Sequence, residues 1–406
     1  MNREMDKYYA INKLFLSRIG CWPYQRKVIK ILIPSLLTII HCSTFTTQVL
    51  LLYKTWGDID IAVECMISMA FVFVGSTKLL NIAINNNKFR QLLQLMNKHW
   101  EIFNGEDERN ILSYYACISL KIAKYYGGYI LISLILYLFI PLVPRILDIV
   151  VPLNESRPLV YVFQGEYGVD KEKYYFLIVL HSYIASLNTI TAVFTVDITY
   201  IASVLHACSL FAAISHRLNS LNGQEEIKTG DEKKTHIVAH NHSLRDEDIS
   251  ISNDHYKLII CLKKHQFALE HVQILNSIFT KATFILLSLN VLMLSVVGIQ
   301  VLNNATHTDE IIRYAFLAYG TFLHLIFMCI PGQLLIDRST EVFEKAYAAA
   351  WYTFSVKTKR LLSILLYRSF VPCTLTAGKM FVMSMTMCSS VTQTAMSYFT
   401  AFLSIR

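Results

Sequence analysis

The chain has 406 residues, of which 54% are apolar and 16% are charged, and its mean hydropathy is +0.42. Ordinary soluble domains carry about 25% charged residues, so this composition excludes that class and predicts a membrane protein. The formal net charge of +8 does not call for a nucleic acid partner, because basic loops facing an anionic lipid leaflet account for it.

Seven segments are long and apolar enough to cross a bilayer as helices, for which about 20 residues are needed. They cover residues 28–53, 61–84, 122–147, 174–210, 274–302, 311–336 and 378–405. The sequence therefore predicts an all-α membrane protein with seven transmembrane helices. No internal repeat is visible, which disfavours a transporter built from inverted repeats.

The orientation follows from the distribution of Lys and Arg, which are retained on the cytoplasmic side of a membrane. Residues 1–27 carry no signal-peptide pattern, and with this segment inside, the inner loops hold 25 basic residues and the outer loops six. We therefore predict a cytosolic N-terminus and an extracellular C-terminus. A G-protein-coupled receptor has the opposite orientation.

Two glycosylation sequons begin at Asn154 and Asn304, and both lie in predicted outer loops. They support the same orientation and predict a glycoprotein. None of the nine cysteines lies in a predicted outer loop, so no extracellular disulfide is expected.

Two helical stretches exceed the length that a bilayer requires. Residues 174–222 and 337–371 contain neither Gly nor Pro, and the first would form a helix of roughly 70 Å, reaching into the cytosol. Apolar residues recur at helical spacing in the second, which predicts a cytosolic anchor helix that packs on its own chain or between subunits. We assign residues 1–336 to the six-span ligand-binding region and predict a flexible loop at about 223–254.

Enzyme chemistry is not indicated. His236, His240 and His242 have a spacing that suits a metal, but they lie in the predicted flexible loop without an organised carboxylate or Cys partner. Phosphate-binding Gly loops and nucleophile motifs do not occur in the sequence. We predict a protein without catalytic activity, cofactor or metal.

Asp197, Lys281 and Lys78 lie inside predicted spans, where charge is costly and therefore marks a functional candidate. Asp197 and Lys281 both lie roughly 30 to 35 Å below the outer ends of their spans. They either form a buried pair or extend separately to the inner interface, and Lys78 has the same ambiguity. The sequence leaves these alternatives open.

The outer halves of four spans carry aromatic, Met, hydroxyl and amide side chains that suit a hydrophobic ligand with one weak polar group. The candidate ligand-binding residues are Met69, Phe71, Phe73, Ser133, Leu136, Tyr137, His181, Ile184, Asn188, Tyr314, Tyr319 and Phe322. Ordinary helix packing is the alternative for each of them.

Short motifs concentrate in the last quarter of the chain. They are Gly332 followed by Ser339, "AAAWY" (348–352), "RSFVP" (368–372), "AGK" (377–379) and "SYF" (397–399). In these motifs the chain resembles the insect odorant receptors, and its start, "YYAINKLFLSRIGCWPYQ" (8–25), is similar to the N-termini of ant and bee members. Gustatory receptors, a related family, end in a different Thr-Tyr and Gln-Phe motif.

This resemblance implies an odorant-gated, non-selective cation channel of four subunits, each adding its last helix to a central pore. It implies a tuning subunit in the plasma membrane of a sensory dendrite, with the shared coreceptor and a small hydrophobic odorant or pheromone as partners. By register from "SYF", residues 378–406 form the pore-lining helix, with Ala401 at the gate and Ser404 and Ile405 at the outer mouth. A metabotropic seven-helix chemoreceptor and a gustatory receptor are the alternatives.

Overall fold

The computed structural model describes residues 3–151, 157, 159–219, 221, 243–303 and 308–405. Within these residues the chain forms twelve α-helices and one β-hairpin. The helices are α1 (Arg3–Tyr8), α2 (Ala10–Arg18), α3 (Lys27–Lys54), α4 (Ile59–Ile84), α5 (Asn86–Ile102), α6 (Glu106–Phe139), α7 (Val143–Val150), α8 (Tyr175–Asn219), α9 (Ser243–Asn303), α10 (Thr308–Tyr347), α11 (Val356–Ser369) and α12 (Met385–Ile405). The predicted all-α fold is confirmed.

Six stretches of the described residues are long and apolar enough to cross a membrane. They comprise α3, α4, α6 continuing into α7, α8, α9 and α10, and they match the first six predicted spans. The segment predicted as the seventh span forms α12, a helix of 21 residues that is not among the six. Both predicted glycosylation sites, Asn154 and Asn304, and the histidines of the loop lie outside the described residues.

The seventh helix begins later than the sequence predicts, because residues 376–382 form a hairpin instead. Thr376–Ala377 (β1) pairs antiparallel with Phe381–Val382 (β2). Gly378 and Lys379, both with φ of +62°, make the turn, and the Gly378 N–H donates to the Thr280 carbonyl at 2.8 Å. The "AGK" motif is therefore a tight turn that fixes the start of α12 against α9.

The fourth predicted span is confirmed as part of one long helix. α8 contains 45 residues, which corresponds to about 68 Å at 1.5 Å per residue. Nearly every side chain between Ala192 and Ser215 is buried, because α4, α6, α9 and α10 all pack around this helix. The lower half of α8 is thus the central element of the core.

At the end of the spans nearest the N-terminus, the helices form a bundle that we call the basal bundle. It comprises α1, α2, α5, α11 and the adjoining parts of α6, α8, α9 and α10 (residues 3–22, 86–112, 200–219, 221, 254–287 and 325–377). Its core contains the fully buried side chains of Phe89, Trp100, Phe103 and Phe211. The opposite end of the spans is called the upper end below.

The prediction of one continuous anchor helix over residues 337–371 is wrong. α10 continues from the sixth span to Tyr347, a 3-10 turn follows, and α11 begins at Val356. The break has a local cause, since the Ser355 side chain accepts a hydrogen bond from the Thr358 N–H and caps a new helix. The predicted flexible loop also ends earlier than expected, because α9 begins at Ser243.

Two residues of the C-terminal motifs hold α10 to the chain that leads into α12. A Cβ atom at Gly332 would lie 2.3 Å from the Met383 carbonyl oxygen, so only glycine permits this close approach. About two turns further along α10, the Ser339 hydroxyl accepts the Cys373 N–H at 2.9 Å. The motif positions therefore join the sixth predicted span to the hairpin.

Candidate functional site

A cavity of about 400 Å³ lies between the upper parts of α9, α10 and α12. Its lining residues are Leu294, Gly298, Val301, Ala318, Tyr319, Phe322, Thr392, Ala395, Met396 and Phe399. Ligand pockets for small molecules measure roughly 300–1,000 Å³ and are mostly apolar. The size and the lining of this cavity are therefore those of a site for a small hydrophobic molecule.

Two hydroxyl groups interrupt the apolar lining of the cavity. Thr392 donates its hydroxyl proton to the Cys388 carbonyl at 2.9 Å, which leaves its oxygen as an acceptor. The Tyr319 ring is 55% exposed on the opposite wall. The cavity can accordingly hold an apolar molecule that carries one weak polar group.

The width of the cavity depends on a contact between α9 and α12. Gly298 faces the Phe399 ring, and a Cβ atom at Gly298 would lie 3.1 Å from the ring's Cδ2 atom. The missing side chain lets the aromatic ring lie directly against the α9 backbone. This contact sets the position of one wall of the cavity.

α12 has two chemically different faces. Cys388, Val391 and Ala395 are buried against the chain. The exposed face carries a polar stripe, which consists of Ser390, Gln393, Thr394, Ser397 and Ser404 together with the small residue Ala401. A helix of this kind suits a water-filled pore on its exposed side and a helical bundle on the other.

Hydroxyls of the polar stripe donate to the carbonyls of their own helix. Ser397 donates to Gln393 at 2.9 Å, and Ser404 donates to Ala401 at 2.8 Å. Their donors are thus satisfied while their oxygens stay free to accept from water. Of the residues predicted at the gate and mouth of the pore, Ala401 and Ser404 are exposed, and the Ile405 side chain lies outside the described residues.

Three of the predicted ligand-binding residues connect structural elements at the upper end. His181 on α8 lies within hydrogen-bond distance of the Ser43 and Tyr167 hydroxyls, at 2.9 and 3.0 Å. Tyr137 donates to the Val162 carbonyl at 3.0 Å, and the Asn188 amide donates to the Leu37 carbonyl at 2.9 Å. These side chains hold residues 162–167 and α3 against α6 and α8.

The segment that contains Tyr167 is also held by charge. Glu166 pairs with Lys54 at the end of α3 at 3.0 Å, and the Lys54 hydrogen bond lowers the pKa of the Glu166 carboxyl. Burial raises the pKa of the neighbouring Tyr167 phenol. Both shifts follow from a loop that is folded onto the helices.

The twelve predicted ligand-binding residues do not all meet at one site. Tyr319 and Phe322 line the cavity, and Tyr314 is buried in the same helix. The others on α4, α6 and α8 are half-buried or exposed on the chain surface, namely Met69, Phe71, Phe73, Ser133, Leu136 and Ile184. The cavity residues on α9 and α12 were not predicted, although Gly298 inside an apolar span is a signal for close helix packing.

A buried polar network lies below the cavity within the spans, and it shows which residue pairs with Asp197. Lys78 on α4 donates to the Asp197 carboxylate on α8 and, at 2.7 Å, to Nε2 of His324 on α10. Tyr126 on α6 donates to the other Asp197 oxygen at 3.0 Å. The considered pairing with Lys281 is wrong, since Lys281 is exposed.

Comparisons with known proteins agree on one family. A family model described as 7tm Odorant receptor matches residues 58–396. Odorant receptor 13a of Drosophila melanogaster is 20% identical over 375 residues, which cover 89% of this chain and 84% of the relative. The odorant receptor coreceptor of Ooceraea biroi is 29% identical over 106 residues, only 25% of this chain and 22% of that protein.

Two solved structures have the same fold as this chain. The insect olfactory receptor OR5 from Machilis hrabei in complex with eugenol superimposes with a TM-score of 0.74 at 14% identity and covers 99% of both chains. A second structure of the insect olfactory receptor OR5 from Machilis hrabei gives a TM-score of 0.68 at 15% identity, again over 99% of both chains. The matched proteins are receptors and not enzymes, as the lack of catalytic motifs in the sequence predicts.

Proposed function

Because the chain belongs to the insect odorant receptor family, we propose that it is a tuning subunit of an odorant-gated, non-selective cation channel. It binds a small hydrophobic volatile or pheromone in the outer half of its spans. It acts in the plasma membrane of a sensory dendrite, with its N-terminus in the cytosol.

The cavity between α9, α10 and α12 is the observation that carries this proposal. Tyr319 and Phe322, predicted from sequence as ligand contacts, face Thr392 and Met396 on α12 across the cavity. A molecule in this space touches the proposed pore helix directly. Binding and opening therefore need no long-range relay.

The gating mechanism follows from two-state thermodynamics. A ligand opens the channel only if it binds the open arrangement more tightly than the closed one. A ligand that wedges between α10 and α12 favours the arrangement in which α12 lies farther from α10. This movement shifts the small Ala401 side chain. The narrow apolar constriction that Ala401 forms with the other subunits then widens, and water can enter it.

The polar stripe on α12 supports its role in the pore. Ser390, Gln393 and Ser397 would be unfavourable against lipid, whereas in a tetramer the same face borders water. Serine oxygens and the Gln393 amide offer acceptors to a passing cation without binding it tightly. This arrangement favours conduction with little discrimination among monovalent cations.

Assembly with the coreceptor is proposed to use the outer surface of the basal bundle. Large exposed side chains cluster on and next to α11, including Trp351, Tyr352, Tyr367 and Phe370. A cluster of exposed aromatic side chains is typical of a protein–protein interface. Four subunits joined there, with at least one copy of the coreceptor, would bring their α12 helices around one axis.

The test is current recording from cells that express this chain with and without the coreceptor. A panel of volatiles is applied, and the active ligand is then tested on Tyr319→Ala and Phe322→Ala. Both variants should lower sensitivity by about ten-fold or more, the loss expected from a well-packed aromatic contact. Phe316→Ala is the matched control, since Phe316 is exposed on α10 and does not line the cavity.

Unchanged sensitivity and selectivity in both cavity variants would contradict the assigned binding site. Lack of any ligand-evoked current with the coreceptor, for protein that reaches the surface, would contradict the channel function itself.

A further inference from the structure

The network around Asp197 is almost completely enclosed within the spans. The Lys78 side chain is fully buried, the Asp197 side chain is 4% exposed, and the His324 side chain at the edge of the network is 17% exposed. Four helices contribute to it, because Lys78 lies on α4, Tyr126 on α6, Asp197 on α8 and His324 on α10. Asn290 on α9 approaches the His324 ring at 3.5 Å, the outer limit of a hydrogen bond.

α10 separates this network from the cavity. His324 and Phe327 face the network, and the Phe327 ring packs on the Tyr126 ring with centroids 4.8 Å apart. Tyr319 and Phe322 line the cavity instead. At 3.6 residues per turn, these two pairs point to different sides of the helix.

The Asp197 network and the cavity lie at neighbouring levels along α9 and α10. His324 lies five residues below Tyr319 on α10, and Asn290 lies four residues below Leu294 on α9. One helical turn covers 5.4 Å. Since Phe322 lies two residues above His324, the network begins within about one helical turn of the lowest cavity residues.

The two walls of the cavity differ in how firmly they are held. α10 is tied through His324 to the buried charged pair of Lys78 and Asp197. Separating such a pair leaves buried charges without partners. At the cavity face of α12, Ala395, Met396 and Phe399 make apolar contacts, and the Thr392 hydroxyl donates to the Cys388 carbonyl of its own helix. A molecule that binds between the two helices will therefore displace α12 more readily than α10.

We infer that the Lys78–Asp197–His324 network is a positioning device that fixes α10, so that a ligand in the cavity moves α12. His324 is its central positioning residue, because it is the member that lies on the wall itself. This inference rests on the proposed ligand site and pore. It assigns to the network a role in coupling rather than in ligand affinity.

The experiment separates ligand binding from channel opening in the complex with the coreceptor. Binding is measured as the ligand-induced increase in melting temperature of the purified complex, and opening as the maximal ligand-evoked current. His324→Ala should bind the ligand as the unmodified chain does, while its maximal current falls about ten-fold, within the usual range for coupling between sites. His324→Gln should restore most of the current, because the amide oxygen can accept from Lys78.

Two further variants distinguish a loss of coupling from a loss of folding. Lys78→Met combined with Asp197→Leu removes both charges together, so no buried charge is left unpaired, and this variant should lose current as His324→Ala does. Thr321→Ala is the control on α10, since the Thr321 hydroxyl bonds only to its own helix through Leu317.

Normal maximal current in either His324→Ala or the double variant, at normal surface level, would overturn the inference. So would a parallel loss of binding and current, because that result indicates a purely structural role. A failure of the proposed function is distinguishable, since the unmodified complex would then give no ligand-evoked current at all.

Discussion

Phe399 on α12 lies against Gly298 on α9 with no side chain between ring and backbone. The two helices would have to separate, or the ring would have to turn into the cavity, if position 298 carried a side chain. Because Phe399 and Gly298 both line the cavity, this pair couples the shape of the site to the position of the last helix.

Gly298→Ala should therefore narrow the cavity and shift the preferred ligands towards shorter molecules. The added Cβ lies so close to the Phe399 ring that the ring must move by a few tenths of an ångström. We therefore expect a loss of sensitivity of about three- to ten-fold for the longest ligands, which is equivalent to about 1 kcal/mol. Concentration–response curves for a homologous ligand series measure the shift. Gly128→Ala is the control because nothing lies within 4 Å of a Cβ atom there; an equal effect of both changes would contradict the prediction.

Gly332→Ala should prevent correct folding of the segment before α12. The added atom would overlap the Met383 carbonyl oxygen at 2.3 Å, and neither backbone can move without disturbing the hairpin. We expect little protein at the cell surface, measured by biotinylation, whereas Gly320→Ala in the same helix has open space and should express normally. Normal surface levels of Gly332→Ala would show that α10 and the hairpin are not rigidly joined.

Glu108→Gln should destabilise the basal bundle by about 3–5 kcal/mol, because it leaves a buried cation without its partner. Lys264 donates to both Glu108 oxygens at 2.6 Å, and Arg217 adds a contact at 2.9 Å. The melting temperature of purified protein measures the effect. Glu106→Gln removes an exposed carboxylate from the same helical turn and should change the melting temperature little; similar values for the two variants would contradict the argument.

The stability of the basal bundle should depend on pH through His99. Burial, with the nearby charges of His271 and Lys98, lowers the pKa of His99 from its ordinary 6.5 to about 2. The unfolded chain therefore binds more protons than the native chain between these values, and stability decreases as the pH falls below about 6.5. The melting temperature should drop between about pH 7.5 and 5.5, and His99→Gln should reduce the drop; identical pH profiles would exclude His99 as a contributor.

Cysteine labelling tests the two faces of α12. Ser397→Cys should react with a charged, water-soluble thiol reagent in the assembled channel and thereby change the current, because position 397 is exposed on the polar stripe. Val391→Cys, which is 2% exposed, should not react. The unsubstituted chain is measured as well, since Cys42 is exposed; reaction at position 391 but not at 397 would place the pore elsewhere.

Much of the architecture was predictable because it depends on local sequence. The lack of Gly and Pro over residues 174–222 predicts the continuous α8, and apolar run length predicts the six spans. The break before α11 was missed, since it depends on the Ser355 cap and the preceding 3-10 turn and not on a helix-breaking residue. The start of α12 was missed for a similar reason, because a hairpin with an apolar strand resembles a helical segment in hydropathy.

The site was predicted less completely because it depends on how helices face one another. Tyr319 and Phe322, predicted from residue type and depth, line the candidate cavity, and their role in ligand binding stays a prediction. The α9 and α12 residues opposite them depend on packing that run length does not encode. Asp197 and Lys78 were both recognised as costly charges, yet only the packing of α4 against α8 decides that they pair. The similarity of the N-terminus to ant and bee receptors stays a prediction.

The hydroxyls of the polar stripe donate to the carbonyls of their own helix rather than to a neighbour. During biosynthesis a single copy of α12 can therefore enter the lipid from the translocon at a moderate cost, since its hydroxyl protons already have acceptors. Under the proposed function, the water-filled interior would then form only when the α12 helices of several subunits come together.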